Sequence, residues 1–130
     1  MGRFSPDGRW VAYNSDESGR MEVYVRPFAG GGGRVQISVA GGQRAIWSHD
    51  GKQLYYWEGN RLISATLAFG PGPTVVSRTP LFSGRFETDF DVSADGSRFL
   101  MIQSQPTGLE LIVVPNWRTE LRRLTAPKSP

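Results

Sequence analysis

The chain contains no cysteine, so disulfide bridges and thiolate metal sites are excluded. It has one histidine, His49, and therefore at most one imidazole for a catalytic triad or a metal. No apolar run approaches the length of a membrane span, and no direct membrane insertion is expected. The opening Met1-Gly2-Arg3-Phe4 has no apolar leader behind it. Charge of one sign is also scarce, with a net balance of only +3 over 130 residues. The one local concentration of bases is Arg118, Arg122, Arg123 and Lys128, which reads as a solvated helix face. No nucleic-acid partner is expected from it.

What is plentiful is turn formers and aromatics. Sixteen glycines and nine prolines in a chain of this size favour many short strands over long helices. Apolar residues make up 38% of the chain, enough for a folded core and too many for a disordered segment.

Three segments of the chain resemble one another. They are Phe4-Ser5-Pro6-Asp7-Gly8, Trp47-Ser48-His49-Asp50-Gly51 and Val92-Ser93-Ala94-Asp95-Gly96, each followed by two residues (polar in the second and third, Arg9-Trp10 in the first) and an apolar run. The glycines at 8, 51 and 96 lie 43 and 45 residues apart, the length of one four-stranded propeller blade. Asp-Gly favours a hairpin because glycine accepts positive φ without steric cost. The Ser and Asp side chains can bond the turn's own backbone. The nine residues Ser5, Asp7, Gly8, Ser48, Asp50, Gly51, Ser93, Asp95 and Gly96 are therefore assigned to repeated structural turns.

The residues after each glycine are apolar on both strand faces. Val11, Leu54 and Phe99 share a face with Tyr13, Tyr56 and Met101; Ala12, Tyr55 and Leu100 occupy the other. Burial on both faces suits a sheet sandwiched between neighbours. Further strands are expected at 22–26, 34–38, 61–67, 74–77 and 109–114. Trp117, Leu121 and Leu124 recur at helical spacing behind Asn116, which predicts a short C-terminal helix.

The fold class expected is all-β: a partial β-propeller of three roughly four-stranded antiparallel blades with a short C-terminal helix. Blade 1 covers about 1–40, blade 2 about 41–84, and blade 3 with the helix about 85–130. Propellers close with about 4–8 blades, so three leave open faces. Further propeller blades, from the same parent chain or from a homo-oligomer, are expected partners. A stretch of a longer protein is favoured, with the helix near its C-terminal end; a dimer of two three-blade halves is the competing reading.

The motif resembles the WD40-like propeller repeat of the TolB type, whose hallmark is Trp/Phe-Ser-Pro-Asp-Gly-Lys/Arg before an apolar strand. Phe4 to Tyr13 follows it closely, Trp47 to Tyr56 has His49 in place of Pro, and Val92 to Met101 is the most diverged. The resemblance implies a non-catalytic segment that mediates protein contact or senses a ligand, in an extracytoplasmic rather than cytoplasmic setting. The run Ile112 to Trp117 with Glu120 to Leu124 also resembles the end of multidomain bacterial proteins that join a serine/threonine kinase domain to such a propeller. An accessory domain of such a kinase is therefore one alternative. Any catalysis would then lie elsewhere, because the kinase motifs are absent from these residues. The propeller of a prolyl-oligopeptidase-type hydrolase is another alternative, disfavoured because no Gly-x-Ser-x-Gly is present.

No catalytic, cofactor-binding or metal residues are assigned. His49 fills a turn position taken by Pro6 and Ala94 in the other repeats. Asp89, Asp91 and Asp95 resemble a calcium loop superficially, but Leu100 stands where the bidentate Glu is required. Gly30 to Gly33 lacks a following Lys-Ser/Thr and reads as a hairpin loop. The one candidate for ligand contact is the acidic run Glu87, Asp89 and Asp91, just before the third motif, where a propeller strand nears the channel mouth.

Overall fold

The computed structural model describes residues 2–29 and 32–116. Eleven strands form three antiparallel sheets in it, with no helix among the described residues. The helix expected around Trp117 lies outside them.

The first sheet runs β1 (Gly2–Phe4), β2 (Trp10–Ser15), β3 (Glu22–Pro27) and β4 (Val35–Gln36), in that order. The second runs β5 (Gln43–Trp47), β6 (Gln53–Glu58), β7 (Arg61–Phe69) and β8 (Pro73–Ser83). The third has three strands: β9 (Phe90–Val92), β10 (Arg98–Gln105) and β11 (Gly108–Pro115). In every sheet, chain neighbours are sheet neighbours. The first two sheets belong to one compact unit ending at Gly84, and the third belongs to a second unit.

Two strands differ most in length from the pattern of the sequence; the other expected strands differ by one or two residues. β4 is shorter than the alternation of 34–38 predicts, because a side chain ends its ladder. The Val23 N–H is taken by the Ser38 hydroxyl at 2.8 Å, where a backbone carbonyl would otherwise serve. β8 is longer than 74–77 predicts: its pairing to β7 continues through Arg61↔Ser83 across two register shifts. Those irregularities let Pro80 sit in the strand.

The core of the first unit lies between the facing sides of its two sheets. Ala12, Val23, Val25 and Ile37 from the first sheet join Trp47, Leu54, Tyr56, Ile63, Ala65 and Leu67 from the second. A fully buried side chain of the Leu or Ile class contributes roughly 1.5–3 kcal/mol. Gly42 is needed for this approach, since an added Cβ would meet the Ser38 side chain at 2.7 Å. Burial on both strand faces is realised fully in the second sheet, where Leu54, Tyr55, Tyr56 and Trp57 are consecutive buried residues. The first and third sheets are covered on one face more than the other. Ala12 is buried while Val11 and Tyr13 are half-buried; Phe99 and Met101 are buried while Leu100 is exposed.

Candidate functional site

The repeated motif builds the same clasp three times. In the first, Gly8 N–H donates to the Ser5 carbonyl at 2.9 Å, closing a turn, and Ser5 N–H donates to the Trp10 carbonyl at 2.9 Å. The Ser5 hydroxyl donates to Asp7 Oδ1 at 2.6 Å and accepts from Trp10 N–H at 3.1 Å. Arg9 N–H donates to Asp7 Oδ1 at 3.0 Å. Ser48 and Asp50 repeat the pattern with Lys52 and Gln53, and Ser93 and Asp95 repeat it with Ser97 and Arg98.

Gly8, Gly51 and Gly96 have φ of 74°, 73° and 74°, while no motif aspartate has positive φ. A two-residue type I′ hairpin would need positive φ at both central residues. The geometry is instead a turn with Ser at its first position and a left-handed glycine at its fourth, so the loop is longer. That order explains Pro6, which suits the second position of a type I turn.

These bonds hold the carboxylates in their charged form. The Ser5 hydroxyl, then the Arg9 N–H, lowers the Asp7 carboxyl below its ordinary value of 3.8. Partial burial pushes the Asp50 carboxyl upward, but the bonds from Ser48 and Lys52 outweigh it and the net direction is down. Because the folded-state pKa is depressed, this stabilisation is present above the unfolded value and is lost as pH falls through the folded one. Replacing Asp7 and Asp50 by Asn is expected to flatten the loss of stability below about pH 4, as read by urea unfolding at several pH values. An acid limb unchanged in the double variant would contradict this role.

The chemistry of the motif is thus spent on holding hairpins. His49 is exposed in the second clasp, in the position of Pro6. Among the described residues no group of three or more His, Asp or Glu side chains is placed to hold a metal ion.

Glu87, Asp89 and Asp91 lead into and along the first strand of the third sheet. All three are exposed, while the alternating Phe86, Thr88 and Phe90 are half-buried. Glu87 N–H donates to the Ile102 carbonyl at 2.7 Å, which extends the pairing along β10 beyond β9. Asp91 pairs across from Leu100, and its Oδ1 accepts from Val92 N–H at 2.8 Å. The run therefore presents three carboxylates at the open edge of this sheet.

Two polar features were not visible in the sequence pattern. The first is Glu22, which is only 3% exposed. Its Oε1 accepts from the Ser38 hydroxyl at 2.8 Å and from Gly41 N–H at 2.7 Å. Its Oε2 accepts from the Gln36 amide at 3.2 Å and faces the Arg20 guanidinium at 3.6 Å. The second is a pair of ties between the first two sheets. The Trp47 indole N–H donates to the Arg3 carbonyl at 3.0 Å, and Arg78 Nε donates to the Ile37 carbonyl at 2.7 Å. Burial pushes the Tyr56 phenol, beside Arg78, up to about 12. The clue to Glu22 in the sequence was the run Ser38 to Gly42, whose two glycines mark a tight return of the chain.

Neither the family models nor the curated protein sequences give a match to this chain. Among solved structures it is similar to TolB from Acinetobacter baumannii, with a TM-score of 0.69 and 19% identity. The fold is that of a TolB-like β-propeller. The likeness covers 89% of this chain and 29% of the TolB chain, so this chain spans under a third of that protein. It is also similar to a protein from Bacteroides uniformis ATCC 8492 provisionally designated a 6-phosphogluconolactonase. There the TM-score is 0.52 at 20% identity, covering 88% of this chain and 40% of that one. At such identities both likenesses speak to fold alone.

Proposed function

We propose that this chain is a non-catalytic segment of a TolB-like propeller that binds another protein, and that Glu87, Asp89 and Asp91 form its contact for a basic segment of that partner. One observation carries the reading. The run at 87, 89 and 91 sets three exposed carboxylates along one sheet edge. Such an edge offers charge complementarity, which favours rapid and selective encounter with a cationic partner. An extracytoplasmic setting, implied by the repeat's resemblance, is part of the proposal. The kinase-accessory and hydrolase-propeller alternatives have no observation in their favour.

The test is fluorescence anisotropy with a labelled Lys/Arg-rich peptide and an acidic peptide of equal length. The basic peptide is expected to bind and the acidic one not. Reversing all three charges (Glu87→Lys, Asp89→Lys, Asp91→Lys) is expected to weaken binding about tenfold, the sum of three exposed ion pairs. Equal binding of both peptides, or no effect of the reversal, would sink the assignment of this edge.

A further inference from the structure

Among the described residues the third sheet leaves an apolar face exposed, and the internal repeat shows what that face does elsewhere in the chain. Counting from the motif glycines, Leu100 occupies the position of Ala12. Ala12 pairs with Val25 and Leu100 with Val113; Asn14 pairs with Val23 and Ile102 with Leu111. Val113 and Leu111 are therefore the counterparts of Val25 and Val23. In the first sheet this face packs on the second sheet, and Ala12, Val23 and Val25 are 1%, 0% and 0% exposed. In the third sheet the matching Leu100, Leu111 and Val113 are 41%, 67% and 59% exposed, and Leu109 beside them is 71% exposed.

The complementary half of this interface is also open, on the other side of the first sheet. The second sheet covers the Ala12 face with Trp47, Leu54, Tyr56 and Leu67, all buried. By the same count from the glycines, the first sheet carries Phe4, Val11 and Tyr13 at the positions of Trp47, Leu54 and Tyr56, and Phe28 stands where the second sheet has Leu67. The equivalence of Phe28 and Leu67 is borne by the backbone: Phe28 N–H donates to the Arg9 carbonyl at 3.0 Å, and Leu67 N–H donates to the Lys52 carbonyl at 2.8 Å. Yet Phe4 and Phe28 are exposed, packed edge-to-face on each other with centroids 4.9 Å apart. Each copy of the chain thus presents both halves of a contact that it makes once internally.

We infer that the Leu100/Leu111/Val113 face of one copy docks on the Phe4/Val11/Tyr13/Phe28 face of a second copy, repeating the interface between the first and second sheets. The contiguous exposed apolar surface of Leu100, Leu109, Leu111 and Val113 marks an interaction site on the third sheet. On the first-sheet half Phe4 and Phe28 are the exposed apolar anchors, Val11 and Tyr13 are half-buried, and Arg26 pairs across from Val11. A face-to-back contact joins unlike surfaces and is heterologous. The apolar side chains sit on β10 and β11, whereas Glu87 and Asp89 lie before β9; of the acidic run, Asp91 pairs across from Leu100.

Sedimentation equilibrium of the chain over a broad concentration range tests this. The expected result is reversible association to a multiple of the 14.4 kDa monomer. Leu111→Glu and Phe28→Glu, both at exposed positions, are each expected to weaken association about 100-fold, since each buries an unpaired charge in the contact. Equimolar mixing of the two variants is expected to restore a complex, because one intact half remains on each. Circular dichroism melts of the dilute variants should match wild type, and basic-peptide binding should persist in Leu111→Glu. A wild-type chain that stays monomeric at high concentration overturns the inference. So does a Phe28→Glu variant that associates normally, which would mean that like faces meet.

Discussion

Trp47→Ala is expected to lower the unfolding free energy by about 3–5 kcal/mol, the range for removing a large aromatic side chain from a core. The indole is buried with Leu54, Tyr56 and Ile63 on one side, and its N–H reaches the Arg3 carbonyl of the neighbouring sheet. Trp47→Phe separates the two contributions. It keeps most of the apolar volume and removes the hydrogen bond, so a loss of about 1 kcal/mol is expected. The first repeat already carries Phe4 at the same motif position, which shows that the turn itself tolerates the smaller ring. Urea unfolding followed by fluorescence and circular dichroism measures both changes. Equal losses for the two variants would mean that the bond to Arg3, and not the packing, holds the sheets together.

Glu22→Ala is expected to cost about 3 kcal/mol, because it strips the acceptor from several buried donors at once. The Ser38 hydroxyl and the Gly41 N–H both rely on one carboxylate oxygen. The same hydroxyl then accepts from Val23 N–H, so Glu22 acts at one remove on the end of the β3–β4 ladder. Glu22→Gln keeps the shape but brings an amide donor near the Gln36 amide, and an intermediate loss is expected. A double-mutant cycle with Ser38→Ala should show coupling of about 1 kcal/mol or more. Additive losses would contradict a shared network.

What was legible in the sequence was local. The clasp bonds connect residues two to five positions apart, as in Ser5 to Asp7 and Trp10 to Ser5. Turn chemistry of this range is written in consecutive letters, so the three hairpins and their spacing could be read directly. The alternation of apolar residues placed Val23, Val25, Leu54 and Tyr56 in strands for the same reason. What escaped was the set of contacts that join distant letters. Ser38 meets Glu22 across 16 residues, and Trp47 meets Arg3 across 44. No periodicity distinguishes a buried Glu at a strand start from a solvated one. The length of β4 escaped too, because Ser38 reads as one more strand residue until its hydroxyl is seen capping the ladder. The acidic run at 87, 89 and 91 was readable as a cluster, but that it stands exposed while its neighbours turn inward is a result of the extended path beside β10.

The open face of the third sheet also bears on colloidal behaviour. Leu109 to Val114 is a six-residue stretch with five aliphatic side chains and one charge, Glu110. In the described residues it forms the last strand of its sheet. High β propensity, low charge and a free edge are the ingredients of cross-β stacking. Pro115 closes the stretch with a residue that cannot donate to a new ladder, and Glu110 breaks it near the start. Those two residues act as gatekeepers, and a chain that lost either would be expected to form fibrils sooner than one that lost a residue of the buried core.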